Sequence, residues 1–157
     1  MDNKHEAAPD AIALLTQDHK NVKKMFDEYE GLGDKAVASK KKLANTICDE
    51  LIVHTKIEEE IFYPAVRAAI DDDDLMDEAD VEHAGAKDLI AQIQSMEPGD
   101  SHYDAKVKVL GEEIDHHVKE EQEEMFPEVR KAKLDLKALG AQMAARKEEL
   151  KEAAKVA

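Results

Sequence analysis

The chain has no tryptophan, one cysteine, four prolines and six glycines, with only three phenylalanines and three tyrosines among 157 residues. The lone Cys48 excludes an internal disulfide framework, which suits a reducing compartment. So little Gly and Pro, against abundant Ala, Leu, Lys and Glu, argues for an all-helical protein over a turn-rich sheet protein. No apolar run approaches the roughly 20 residues of a membrane span, and the stretch Met1–Glu6 lacks the apolar core of a secretory leader. A cytoplasmic location is therefore the expectation. Basic residues are the minority, with 22 Lys and Arg against 37 Asp and Glu and a net charge of −15. That balance argues against nucleic acid and anionic membranes as partners, because both select basic patches. It is compatible with attracting cations, although such charge is commonly a solvated surface. The length suffices for one domain with a real core.

What the chain does have is a repeat. The stretch from His54 to Arg67 recurs from His117 to Arg130 at an offset of 63, and seven of the fourteen positions are identical: His, Lys, Glu, Glu, Pro, Val and Arg. Each copy sets a glutamate four residues after its histidine and ends in an aromatic followed by proline. Upstream, Asp18-His19 is echoed by Glu82-His83 at an offset of 64. The chain reads as two halves, each with one lone His and one His-x-x-x-Glu.

Residues 1–8 are expected to form a flexible leader. Pro9 and Asp10 suit a first helical turn. A seam with steps of three and four then runs through Ile12, Leu15, His19, Val22, Phe26 and Tyr29. Gly31-Leu32-Gly33 stops that helix, and Asp34 is the expected N-cap of the next. The second seam is Leu43, Ile47, Leu51, His54, Glu58, Ile61 and Ala65, with a kink or late break expected near residue 60 because of Pro64. The Asp71–Asp74 run reads as an acidic turn in which one aspartate caps helix three, since it lacks the alternating ligands and closing glutamate of a calcium loop. Helix three carries Met76, Ala79, His83, Ala86, Ile90 and Ile93. After a break at Glu97–Ser101, with Ser101 and Asp104 resembling a capping box, helix four carries Val107, Leu110, Ile114, His117, Glu121 and Met125. A fifth helix is expected over about residues 133–154, packed across the bundle or paired with another copy or a partner protein. The expected architecture is an up-down-up-down four-helix bundle over 9–131 with an additional amphipathic helix in 132–157.

The polar residues on these seams carry the chemistry. His19, His54, Glu58, His83, His117 and Glu121 stand where a bundle ordinarily places Leu or Ile. An unpaired carboxylate there costs several kcal/mol. Positions four apart in a helix lie about 40° apart, so each His-x-x-x-Glu aims both groups inward. One core histidine, or one such pair, is more often structural. Six on four seams in matching halves make a first coordination shell for two metal ions. Mixed nitrogen and oxygen donors favour iron, manganese or zinc over magnesium or calcium. His116 is turned about 100° from His117, toward the rim or second shell. His5 and His102 are expected in solvent, and Cys48 as a small buried apolar residue. The aromatic-Pro pairs are expected to close the bundle and kink the helices. Core packing is the expected use of Tyr29 and Tyr63, although either could reach a metal pocket.

With His19, His54-x-x-x-Glu58 before Phe62-Tyr63-Pro64, Glu82-His83, and His117-x-x-x-Glu121 before Phe126-Pro127, the chain resembles the hemerythrin family, in its bacterial HHE cation-binding branch, over about residues 10–131. The resemblance implies a non-heme di-iron centre, often oxygen-bridged, that meets dioxygen or a related small molecule. It implies His19 and His54 on one iron, His83 and His117 on the other, and Glu58 and Glu121 as bridges. Oxygen carriers of the family add a histidine four residues after the helix-three histidine, where this chain has Lys87. They also use an Asp five residues after the helix-four histidine, where this chain has Glu121 four after. A more open and more symmetric site is expected, its free position taken by water or by a nearby Tyr or Glu. Open positions on a redox metal favour activation over carriage. Three functions follow: binding or sensing of dioxygen, nitric oxide or iron; an enzyme that decomposes peroxide or reduces nitric oxide; and a metal buffer. No Ser-His-Asp, Cys-His or Gly-rich phosphate pattern offers a competing site.

Overall fold

The computed structural model describes residues 9–156. The expected leader 1–8, with His5, lies outside the described residues. These residues form five helical rods and no strand. Rod one is α1 (Ala11–Glu30). Rod two runs from α2 (Val37–Ile57) through a π turn (Glu58–Phe62) into α3 (Tyr63–Ala69). Rod three is α4 (Asp73–Gln94). Rod four runs from α5 (Tyr103–Glu120) through a second π turn (Glu121–Met125) into α6 (Phe126–Lys131), and rod five is α7 (Leu136–Val156). α1 packs on α2 and α5, and α4 packs on α5 and α2, which closes the up-down-up-down bundle. No helix among the described residues is long and apolar enough to cross a membrane.

The seams turn inward as the 3.6-residue period requires, and every seam residue of α1 and α4 is buried. The core falls into two apolar clusters. One gathers Leu15, Ile57, Phe62, Val66, Met76, Phe126 and Met143; the other gathers Phe26, Ile47, Leu51, Ile90, Ile93, Tyr103 and Leu110. Between them lies a layer of buried His and Glu.

The kink or late break expected near residue 60 takes the form of a widened turn in a continuous helix. Proline has no N–H, and its ring clashes with the carbonyl four residues back, here that of Glu60. The helix answers by adding a residue to the turn, so that the Tyr63 N–H reaches the Glu58 carbonyl five residues back. Pro127 has the same effect, and the Phe126 N–H reaches the Glu121 carbonyl. Both repeats therefore open a π turn at the glutamate of His-x-x-x-Glu.

Local caps differ from expectation at two starts. α2 begins after Ala36 with no side-chain cap, so Asp34 does not cap it. The Ser101/Asp104 capping box does not form: His102 sits at the N-cap of α5 in the left-handed region, φ 73°. Asp104 is drawn away by the Tyr29 hydroxyl (2.7 Å) and Lys40 Nζ (3.1 Å), while Asp100 holds the turn by accepting from the Glu97 N–H. Elsewhere Asp10 and Asp72 cap α1 and α4 by accepting from the N–H of Ala13 and Leu75.

α7 lies along α1 and α2 of its own chain, and its Met143 is fully buried. The approach is close enough to need glycine. A Cβ on Gly140 would meet the Pro9 carbonyl oxygen at 2.4 Å and the backbone of Asp10 and Ala11 below 3 Å. Backbone cannot swing aside as a side chain can, so Gly140→Ala should destabilise the fold by about 1–3 kcal/mol. The check is thermal unfolding against Gly33→Ala, whose Cβ would meet nothing within 4 Å. Equal melting temperatures for the two variants would contradict this packing.

Candidate metal centre

The polar layer brings all six singled-out side chains together. Glu58 is 0% exposed, Glu121 1%, His83 3%, His54 and His117 6%, and His19 8%. α1 supplies His19, the end of α2 His54, the first π turn Glu58, α4 His83, the end of α5 His117, and the second π turn Glu121. The imidazoles pair, with ring centroids 5.1 Å apart for His19 and His54 and 4.9 Å apart for His83 and His117. Each carboxylate reaches both pairs. Glu58 Oε1 is 3.3 Å from His54 Nε2 and 3.0 Å from His83 Nε2. Glu121 Oε1 is 3.1 Å from His19 Nε2, and its Oε2 is 3.4 Å from His117 Nε2.

The far side of every imidazole is held. His54 Nδ1 donates to Asp18 Oδ2 (2.9 Å) and His117 Nδ1 to Glu82 Oε1 (2.6 Å). His83 Nδ1 donates to Glu59 Oε2 (2.8 Å) and His19 Nδ1 to Gln122 Oε1 (3.0 Å). These oxygens can only accept, so the proton sits on Nδ1 and Nε2 faces inward, the arrangement that fixes a metal-ligating histidine. The holders obey the repeat: the residue before each lone His serves the His of the His-x-x-x-Glu, and the residue after each inward Glu serves a lone His. Behind them stand cations: Lys147 of α7 on Asp18 (2.6 Å), and Lys87 on Glu59.

Four buried atoms facing the centre, His19 Nε2, His54 Nε2, Glu58 Oε2 and Glu121 Oε1, have no hydrogen-bond partner. His19, His54, Glu58 and Glu121 can offer ligand atoms all within 4.8 Å of one another, and so can Glu58, His83 and His117. This is a His/Glu cluster that could bind metal. In a metal-free centre the counter-charge must come from protons. Burial disfavours charge on His54, but Glu58 and Asp18 outweigh it and hold the imidazole up to about 10. His117, likewise buried, is held up to about 11 by Glu121 and Glu82. Glu121, despite total burial, is held well below its ordinary value by His117 and His19.

Tyr63 departs from the expectation of core packing. Its hydroxyl lies 2.7 Å from Glu121 Oε2, to which it donates, 3.3 Å from Glu58 Oε1, and 3.2 Å from the Nε2 of both His83 and His117. Burial first, then Glu121 and Glu58, holds the phenol well above its ordinary value, so it stays protonated. In an α-helix the fifth residue after Glu58 would point about 140° away; the π turn brings it over Glu58. A regular helical period therefore could not find it. Its repeat mate is Phe126, which has no hydroxyl and stacks on His19, centroids 6.2 Å apart. Tyr63 fills the region beside His83, as one of the occupants expected for a free position, and leaves the site less symmetric than expected. Lys87 turns outward to Glu59.

The remaining residues fall as follows. His116 lies at the rim, 67% exposed, beside Glu82 and Glu120. His102 is exposed. Cys48 is buried, which raises its thiol to about 11. Tyr29 is buried at the other end of the bundle, on Asp104.

A crystal structure of a Hemerythrin HHE cation binding domain-containing protein from Mycobacterium kansasii shares the fold, with a TM-score of 0.81 at 23% identity over 94% of this chain and 91% of that one. A curated protein of Nostoc sp. named DNA nickase is 26% identical over 117 residues, or 74% of this chain, and the chain spans 32% of that protein's length. The Hemerythrin HHE cation binding domain family model matches residues 10–155, a span that contains every inward His and Glu of the buried layer. The chain belongs to the hemerythrin HHE cation-binding domain family.

Proposed function

We propose that this protein is a non-heme di-iron protein that binds or senses dioxygen or a related small molecule such as nitric oxide or peroxide. The carrying observation is the four inward donor atoms that are buried without hydrogen bonds, in a layer where an uncompensated carboxylate costs several kcal/mol. Two cations held by the imidazole pairs together with Glu58 and Glu121 would satisfy all of them. His19 and His54 would hold one ion and His83 and His117 the other, with the Tyr63 hydroxyl as a further oxygen beside the second. Mixed imidazole and carboxylate donors suit iron, with zinc or manganese as chemical alternatives. Iron would supply the redox chemistry that dioxygen-class ligands need. The chain's own residues orient the imidazoles through Nδ1 and keep water out. A cavity of about 20 Å³ beside the histidines, walled by Val22, Leu51, Ile114 and Val118, has room for one water-sized molecule.

Tyr63 favours a second reading, an enzyme that decomposes peroxide or reduces nitric oxide. A protonated phenol aimed into the site is a proton donor, and proton donation by a positioned side chain is worth about 10²–10⁴ in rate. DNA nicking, the activity in the name of the Nostoc protein, is not proposed. The shared part is 32% of that protein, and a net charge of −15 opposes a phosphate backbone.

Anaerobic ferrous loading, desalting and mass-spectrometric metal analysis should give two irons per chain; one or none would overturn the di-iron reading. The double variant Glu58→Ala/Glu121→Ala should lose this loading, and normal loading in it would contradict the bridging role. Stripping the metal should lower the melting temperature by several degrees, because ligands that bind only the native state stabilise it. Tyr63→Phe should keep two irons yet lose about a hundredfold in peroxide turnover if the enzyme reading holds. Unchanged turnover would leave binding or sensing as the function.

A further inference from the structure

The repeat that organises the buried layer is unmatched behind His117. In the first half, the carboxylate that holds His54 is Asp18, and Lys147 of α7 sits 2.6 Å from its other oxygen. In the second half, Glu82 holds His117, but among the described residues nothing plays the role of α7. Glu82, Glu120 and Glu78 have no Lys or Arg ion-pair partner among the described residues. Among the described residues, the positively chargeable group beside them from outside the buried centre is His116. Its Nε2 lies 2.9 Å from Glu120 Oε1 and 3.6 Å from Glu82 Oε2.

We propose that Glu82, His116 and Glu120 form a surface site for a divalent cation of the zinc class, which takes the place that the Lys147 ammonium has in the first half. The donor atoms of the three residues lie within 4.8 Å of one another. An ion with four ligands at about 2.1 Å needs donors about 3.4 Å apart, and the two measured separations bracket that value. His116 and Glu120 are one helical turn apart on α5, and Glu82 reaches across from α4, so the donors come from two packed helices. One imidazole and two carboxylates prefer zinc, copper or nickel to calcium or magnesium. A groove of about 420 Å³ between α4 and α5, bordered by Glu82, Gly85, Glu113 and His116, opens beside the site and leaves room for water ligands. A cation here would draw charge from Glu82 as Lys147 does from Asp18, and so balance the two halves around His117 and His54.

The test is a zinc titration of the full chain, begun with the buried centre filled by zinc. Calorimetry gives the added equivalents, and the His116 ring ¹H–¹⁵N signals report the ligand. One added equivalent per chain is expected, with the His116 signals moving to saturation. His116→Ala and Glu120→Gln should each lose that equivalent and keep the buried ones. No added equivalent in the parent, or the same uptake in His116→Ala, would overturn the proposal. The measured quantity is the difference between parent and variant, so it stands whatever the buried centre holds. His116 is 67% exposed, and its removal leaves the core intact, which circular dichroism would verify.

Discussion

Two buried carboxylates govern this structure. Glu58 and Glu121 lie at 0% and 1% exposure in the middle of a helical bundle, a position that no small protein maintains without counter-charge. Four imidazoles meet them from four helices, and every imidazole is gripped from behind by an acceptor. The bundle's two apolar clusters lie on either side of this layer and hold it in place. Charge compensation then spreads outward in shells, from Glu58 to His54 to Asp18 to Lys147, and from Glu58 to His83 to Glu59 to Lys87. The first chain ends on α7, so the fifth helix is electrically as well as sterically part of the bundle.

The π turns connect sequence repetition to site geometry. A proline six residues after each inward glutamate forces the helix to take up an extra residue, and the widened turn begins at that glutamate in both halves. The same backbone adjustment then yields different chemistry on the two sides. In the first repeat it delivers the Tyr63 hydroxyl to Glu121, His83 and His117; in the second it delivers the apolar face of Phe126 to His19. A further difference separates the shells behind the imidazoles, since the repeat mates Glu59 and Gln122 are a carboxylate and an amide. A site built by duplication thus holds two unlike halves. The Nδ1–H groups of His83 and His117 meet carboxylates, while that of His19 meets a neutral amide oxygen.

The sequence by itself determined the bundle and the inward layer. A period of 3.6 residues and six polar residues on apolar seams leave few ways to bury the chain, so the seams of α1 and α4 are read correctly to the last residue. Acidic caps such as Asp10 and Asp72 are equally local and equally legible. Tertiary structure alone decided what regular periodicity cannot encode. Tyr63 enters the site because a π turn breaks the period on which the reading rests. Asp104 abandons a capping box because Tyr29 and Lys40, distant in sequence, offer it stronger partners than a backbone N–H. Lys147 guards Asp18 from 129 residues away, and α7 can lie so close to α1 only because Gly140 has no side chain. Local rules select the helices and the faces they bury, whereas the groups that complete the site meet only when separate helices pack, and no spacing along one helix records that meeting.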